Sequence, residues 1–245
     1  MYKYIAKRLL FLIPTILGVT FIIFAVMNIT PGDPGRAILG VNASQADVDA
    51  YNHELGYDKP FLEKYVNYLE KMIFHGDFGT SYYTKQSVFD EIWPRYTLTI
   101  RMSLIAIILS SLIGIPIGIY AAVKQYSLWD TIPSLLAFFI AAIPGFVLGM
   151  LLLYVFSSKL GWLPSHGIKG IESYIMPALA MAIPPAAQNM RFTKSSMLEA
   201  IRQDYVRTAR AKGAPERTVI WKHALGNALL PVVTQVGMSL GMMIC

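Results

Sequence analysis

Uncharged apolar runs alternate with polar segments along this chain of 245 residues. The first run, Leu9–Ile29, lies between the basic cluster Lys3, Lys7, Arg8 and the next charge at Asp33. It is long enough to cross a hydrocarbon core as one helix. It also exceeds the ~7–15 apolar residues of a secretory leader, and no small-x-small cleavage site follows, so it predicts an uncleaved anchor. Met102–Val123 and Thr131–Ser158 are further runs, the latter with tilt or kinks; Ser173–Met190 is shorter, and Ala224–Cys245 reaches the end of the sequence. The pattern predicts an all-α polytopic membrane protein with five visible spans.

The polar segments between the runs have their own organisation. Thr30–Arg95 carries ten acidic and six basic residues and predicts an extramembrane lobe. It opens on the turn-forming Pro31-Gly-Asp-Pro34; Ser44-Gln-Ala-Asp47 predicts a helix start and Gly56 its stop. Pro60 opens a second helix with Leu62, Tyr65, Leu69 and Met72 on one face. Asp77-Phe78-Gly79 also occurs in protein kinases, but without a glycine-rich loop, catalytic loop or strand lysine it reads as a turn. Arg191–His223 holds eight Lys/Arg against three Asp/Glu. Within it Ser196-Met-Leu-Glu199 fits a capping box opening a helix, Gly213 can end one helix, and Pro215 can sit in the first turn of the next.

Lys and Arg concentrate in short cytoplasmic loops, which orients the chain. The first tail, Lys124 and Arg191–His223 fall on one side, and the acidic lobe and Lys159–Glu172 on the other. This predicts a cytoplasmic N-terminus, with residues 1–29 as tail and first span, 30–95 as an extracytoplasmic lobe, and 96–245 as the membrane domain with a cytosolic loop at 191–223. Hydrophobic residues make up 55%, charged residues 15%, and the mean hydropathy is +0.48, which places the chain in lipid. The net charge of +6 is then a topology signal, not evidence for a nucleic-acid partner. Trp93, Trp129, Trp162 and Trp221 lie near predicted span ends, as interfacial aromatics do. Cys245 is the single cysteine, so no intrachain disulfide can form, and His53, His75, His166 and His223 are scattered with no metal-ligand spacing.

No predicted span carries Asp, Glu, Lys, Arg or His in its interior. An ion-coupled carrier needs ionisable groups at depth. The phosphate-binding pattern GxxxxGK[ST] is absent too, so the chain is not expected to bind ATP or to be an enzyme. A transporter with neither device needs a motor in another chain, and the large cytosolic loop is the obvious place for it to attach. A secondary carrier and a membrane scaffold without transport remain as other classes. The spans are instead rich in proline (Pro116, Pro133, Pro144, Pro177, Pro184, Pro185) and in glycine pairs at four-residue spacing: Gly114/Gly118, Gly145/Gly149 and Gly237/Gly241. Such pairs permit close helix contact, inside the subunit or at a partner seam.

At the cytosolic loop the sequence resembles the permease subunits of ATP-binding-cassette (ABC) importers of the dipeptide, oligopeptide and nickel group. Asp204-Tyr-Val-Arg-Thr-Ala-Arg-Ala-Lys-Gly213 is similar to that group's EAA loop, and Arg191-Phe-Thr-Lys-Ser-Ser-Met-Leu-Glu199 precedes it. Similarity extends to Tyr4-Ile-Ala-Lys-Arg-Leu-Leu10, Pro31-Gly-Asp-Pro34, Gly76-Asp-Phe-Gly79 and His223-Ala-Leu, and so covers essentially the whole chain. Only Ala209 and Gly213 keep the general register; Arg207 and Thr208 stand where Glu and Ala would be, and Leu230-Pro231 falls late, as in the peptide and nickel branch.

The resemblance implies a type I importer permease fold with six spans, of which this chain would show five. It implies a multi-pass bacterial inner-membrane location and a complex with a second homologous permease, two ATPase subunits holding ATP and Mg, and an external solute-binding protein. The expected cargo is a di- or oligopeptide, with nickel, glutathione or another small solute as the alternative. Coupling to the ATPases is expected at Tyr205, Arg207, Ala209, Arg210, Lys212, Gly213 and Ala214. The alanines, Ala211 included, are small enough to let a short helix enter a groove, and the basic residues can pair with acidic rims.

Overall fold

The computed structural model describes residues 2–81, 83–168 and 170–245. Two compact units emerge, Met1–Arg95 and Tyr96–Cys245. Among the described residues the only pairing of extended segments is an isolated antiparallel bridge, Thr80 with Ser87.

The first unit begins with helix α1 (Tyr2–Ile29), whose Thr15 and Thr20 hydroxyls donate to the carbonyls of Phe11 and Ile16 one turn back. Pro31-Gly-Asp-Pro34 leads into α2 (Pro34–Leu39): Asp33 caps it by accepting from the Arg36 amide at 3.1 Å, and Pro34 takes the first position, where no amide is needed. Asn52 clamps the turn, accepting from the Gly35 amide at 2.9 Å and donating to Asp33 at 2.8 Å. The Asn52 amide and the Arg36 N–H together hold the Asp33 carboxyl below its ordinary pKa.

Ser44 caps α3 (Gln45–Leu55), accepting from the Asp47 amide, and Gly56 stops it in the left-handed region at φ 73°, as the sequence predicts. Pro60 precedes α4 (Phe61–His75). Of the predicted face of α4, Tyr65 is buried and Leu69 and Met72 are half-buried, while Leu62 gives way to Phe61 and Tyr68. Phe61, Tyr65 and Tyr68 meet Phe21 and Phe24 of α1, and the Tyr65 hydroxyl donates to the Leu17 carbonyl at 2.9 Å, whereas Leu62 is 65% exposed. Aromatic edge contacts choose the face here, a preference that apolar spacing does not encode.

Helix α5 (Val88–Val123) runs on into the second unit. The uncharged run at 131–158 is not one straight span. Helix α6 (Leu128–Ala142) and the helix from Gly145 to Lys159, made of α7 (Gly145–Leu152) and a π-helical segment Leu153–Lys159, meet at 102°. Pro144 lacks an amide and drives Ile143 out of the helical region to φ −85°, ψ 122°.

Helix α8 (Glu172–Ile201) follows, then α9 (Asp204–Ala211). After Pro215 one continuous helical stretch comprises α10 (Glu216–Thr218), a π-helical segment Val219–Ala224 and α11 (Leu225–Ile244). Among the described residues α1, α5 and Glu216–Ile244 are each long and apolar enough to span, and the bent pair meets the same measure only when its two arms are taken together, as a broken span or a re-entrant loop. The expected span at Ser173–Met190 does not reach that measure: α8 carries Gln188, Asn189 and Arg191 and packs among α6, α7 and α11.

One sequence expectation fails in α8. Ser196-Met-Leu-Glu199 opens no helix, because α8 runs unbroken through it, with Met190, Thr193, Met197 and Ala200 all buried at helical spacing. The chain breaks later, where Gln203 turns extended at ψ 151°. The segment 191–223 is helical on both sides of the turn at Gly213, as the sequence predicts. Of the glycine pairs, Gly114/Gly118 sits inside the subunit, pressed on the α8 backbone, while a Cβ at Gly145, Gly149, Gly237 or Gly241 would meet nothing within 4 Å.

Candidate coupling site

The segment Asp204–Pro215 is held by burial on one side and by a glycine stop at its end. Val206 is 0% exposed and Ala209 is buried beside it, in a cluster with Ile119, Met197, Ala200, Val219 and Ala224. Leaving the cluster would return these apolar side chains to water. At the C-terminus the Ala214 amide donates to Ala209 O at 3.3 Å and the Gly213 amide to Arg210 O at 3.0 Å. This pair of bonds requires a left-handed residue, and Gly213 supplies it at φ 78°.

The seven predicted residues therefore divide. Tyr205, Arg207, Arg210 and Lys212 lie on the exposed side, Ala209 faces the buried cluster, and Ala214 packs against that cluster's edge. The small side chains at 209 and 214 let α9 approach its own helices. Ala209 is buried among the chain's own helices and is not part of the exposed face of α9.

The sequence reading also missed a partner. Arg210 donates Nε and Nη2 to the two carboxylate oxygens of Glu216 at 3.1 and 2.7 Å, bridging the turn. The Glu216 hydrogen bonds raise the Arg210 pKa above its ordinary value, against the opposing effect of desolvation. The signal was the spacing of the two residues across Gly213-Ala-Pro215. Arg207 reaches Asp204 only at 3.7 Å.

Val206→Ala, which removes two buried methyl groups, is expected to destabilise the second unit by about 2 kcal/mol. Arg210→Ala, which breaks an exposed pair, should cost under about 1 kcal/mol. Thermal unfolding of the purified variants in detergent measures both, and equal shifts would contradict the assignment of Val206 as the anchor.

Deeper in the unit, Asp130 of α6 pairs with Lys194 of α8, and Asp130 is 6% exposed. Asp130 sits in the first turn of α6 and Lys194 in α8 beyond its apolar run, so both lie at the ends of the apolar runs and not in a span's interior. The two charges neutralise each other in place, whereas a relay needs a chain of groups that exchange protons.

Residues 114–244 match the family of the binding-protein-dependent transport system inner membrane component. Residues 1–103 match the N-terminal family of the same membrane component. The chain belongs to this family. It is the permease subunit of an ABC importer, a multi-pass protein of the bacterial inner membrane, and a transport subunit rather than an enzyme; the carrier and scaffold readings fall away. Relatives include the glutathione transport system permease protein GsiC of Salmonella typhi, 39% identical over 244 residues, covering 100% of this chain and 79% of the relative. The protein of the same name in Escherichia coli (strain K12) is 38% identical over the same coverage.

Proposed function

We propose that this permease carries glutathione, or a small peptide close to it, across the inner membrane in an ATP-driven complex. The reading is carried by identity of 38–39% along the whole chain to permeases named for glutathione transport. It replaces the di- and oligopeptide expectation with the glutathione alternative. Glutathione is itself a tripeptide, so both readings ask the pathway to pass a short polar chain with free carboxylates.

In this reading the permease lines half of the pathway and pairs with a second homologous permease. A solute-binding protein delivers cargo outside, and two ATPase subunits bind ATP and Mg inside. The N-terminus and α9 face the cytoplasm; residues 30–95 form the extracytoplasmic lobe, and 96–245 the membrane domain. The exposed face of α9, with Tyr205, Arg207, Arg210 and Lys212, meets the ATPase, while Val206, Ala209 and Ala214 fix α9 to the permease and Gly213 closes it. A helix held rigidly on one face and basic on the other can pass motion from an acidic-rimmed groove into the membrane helices.

The test is uptake of radiolabelled glutathione by vesicles holding this permease with its partner subunits and binding protein. ATP-dependent uptake, resisted by excess dialanine, is expected. Accumulation of dipeptide with no glutathione uptake would return the cargo to the peptide class.

A further inference from the structure

Three helices of the second unit converge on Lys194. From α6, Asp130 Oδ1 takes the Lys194 ammonium, and the Ser134 hydroxyl, one turn on, receives a second Lys194 hydrogen bond at 3.0 Å while donating to Asp130 Oδ1 at 3.2 Å. The other carboxylate oxygen, Oδ2, accepts the Tyr126 amide at 3.1 Å. Tyr126 has φ 66°, a left-handed conformation unfavourable for a bulky side chain, so Asp130 also holds the α5–α6 turn in a strained shape. From α5, Gly118 is pressed so closely on α8 that a Cβ there would lie 3.2 Å from the Lys194 amide nitrogen. Two turns beyond Lys194, α8 ends at Ile201 and the chain enters α9.

A buried ion pair adds little net stability compared with apolar packing of the same volume. It does fix which residues stay opposite each other. Sliding or rotating α6 against α8 would leave the buried Asp130 carboxylate without its cation, a cost that apolar packing does not impose, while Lys194 is only half-buried. The joint is stiff to the relative motion that would otherwise absorb a displacement of α9.

We infer that Asp130 and Lys194 are positioning residues for transport: their pair locks α6, and the bent span that follows it, to α8, so that motion of α9 reaches the pathway. This rests on the reading of α9 as the coupling helix. Asp130 and Lys194 act through helix placement and touch neither cargo nor nucleotide.

The experiment measures uptake per ATP hydrolysed in liposomes holding the full complex with its binding protein, for D130N, K194M, the reversed pair D130K/K194D, and K194R. Each neutralised variant is expected to lose about tenfold in this ratio. K194R, and in large part the reversed pair, should recover it, since a merely structural loss of volume would not respond to restored charge. Neutralised variants with the wild-type ratio would overturn the inference, as would a K194R as poorly coupled as K194M. If D130N and K194M do not assemble, K194R and the reversed pair decide alone: coupled uptake by both supports the joint, and assembled but uncoupled complexes overturn it. Gly213→Val in the same assay separates the two levels. If it uncouples while D130N does not, this inference fails alone; if it too stays coupled, the reading of α9 fails as well.

Discussion

Gly118→Leu is expected to leave almost no folded permease. A Cβ at this position would lie 2.5 Å from Met190 O, 2.8 Å from Thr193 Cβ and 3.2 Å from the Lys194 amide nitrogen. Two of the three obstacles are backbone atoms of α8, which cannot rotate away as a side-chain tip can. The Gly114 position repeats the arrangement one turn earlier, against Ala186 O, Asn189 Cβ and the Met190 amide. To admit a side chain, α5 and α8 must separate along two turns, and the Asp130–Lys194 joint lies at the end of that contact. Overpacking of this kind costs about 3 kcal/mol or more, a large part of the ~5–15 kcal/mol that holds a folded domain. Gly237→Leu is the control: nothing lies within 4 Å of its Cβ position, and it should elute and melt like the parent. Monodispersity in detergent and the thermal midpoint read both variants; a Gly118→Leu protein as stable as Gly237→Leu would show that the α5–α8 contact is looser than described.

The contrast between these glycine pairs shows where the sequence stops being informative. All three have the same spacing, and nothing local separates Gly114/Gly118 from Gly237/Gly241, because the difference is which backbone lies opposite. What could be read was what local chemistry decides: Ser44 and Gly56 bound α3, Pro60 precedes α4, and Gly213 ends α9. The Ser196–Glu199 capping box misled because a cap has meaning only where a helix begins. There the buried spacing of Met190, Thr193, Met197 and Ala200 had already committed the chain to continuing. The bend at Pro144 was available as a possible kink but not as 102°, since proline removes a bond and leaves the final angle to packing.

The Asp130–Lys194 pair was hidden for a related reason. Each residue sits at the edge of an apolar run, where a charge ordinarily marks the membrane boundary, and only the fold brings them together. One signal was present: Asp130 and Ser134 stand one turn apart at the start of a helix, a polar pair entering an apolar face. In α9, the alternation of Val206 and Ala209 with Arg207 and Arg210 marked an anchored face and a free one, which size alone did not distinguish.

Gly213→Val is expected to lower ATP-driven uptake about tenfold while the permease still assembles. Nothing stands within 4 Å of the Gly213 Cβ position, so the penalty does not arise from collision. It arises from φ 78°, which a residue other than glycine adopts at about 1–2 kcal/mol, and a β-branched one at more. Valine would relieve that strain by abandoning the left-handed turn, which breaks the Ala214-to-Ala209 and Gly213-to-Arg210 hydrogen bonds and moves Glu216 away from Arg210. Helix α9 would keep Val206 buried but lose its fixed angle to the helix at Glu216–Ile244, and with it the placement of Arg207 and Lys212 that the proposed coupling requires. Gly213→Asn isolates the cause, because asparagine tolerates the left-handed region and should retain most of the uptake. The ratio of uptake to ATP hydrolysis in the full complex measures both. Equal loss in the asparagine and valine variants would place the effect in side-chain bulk at a partner surface, and unchanged uptake in the valine variant would remove Gly213 from the coupling path.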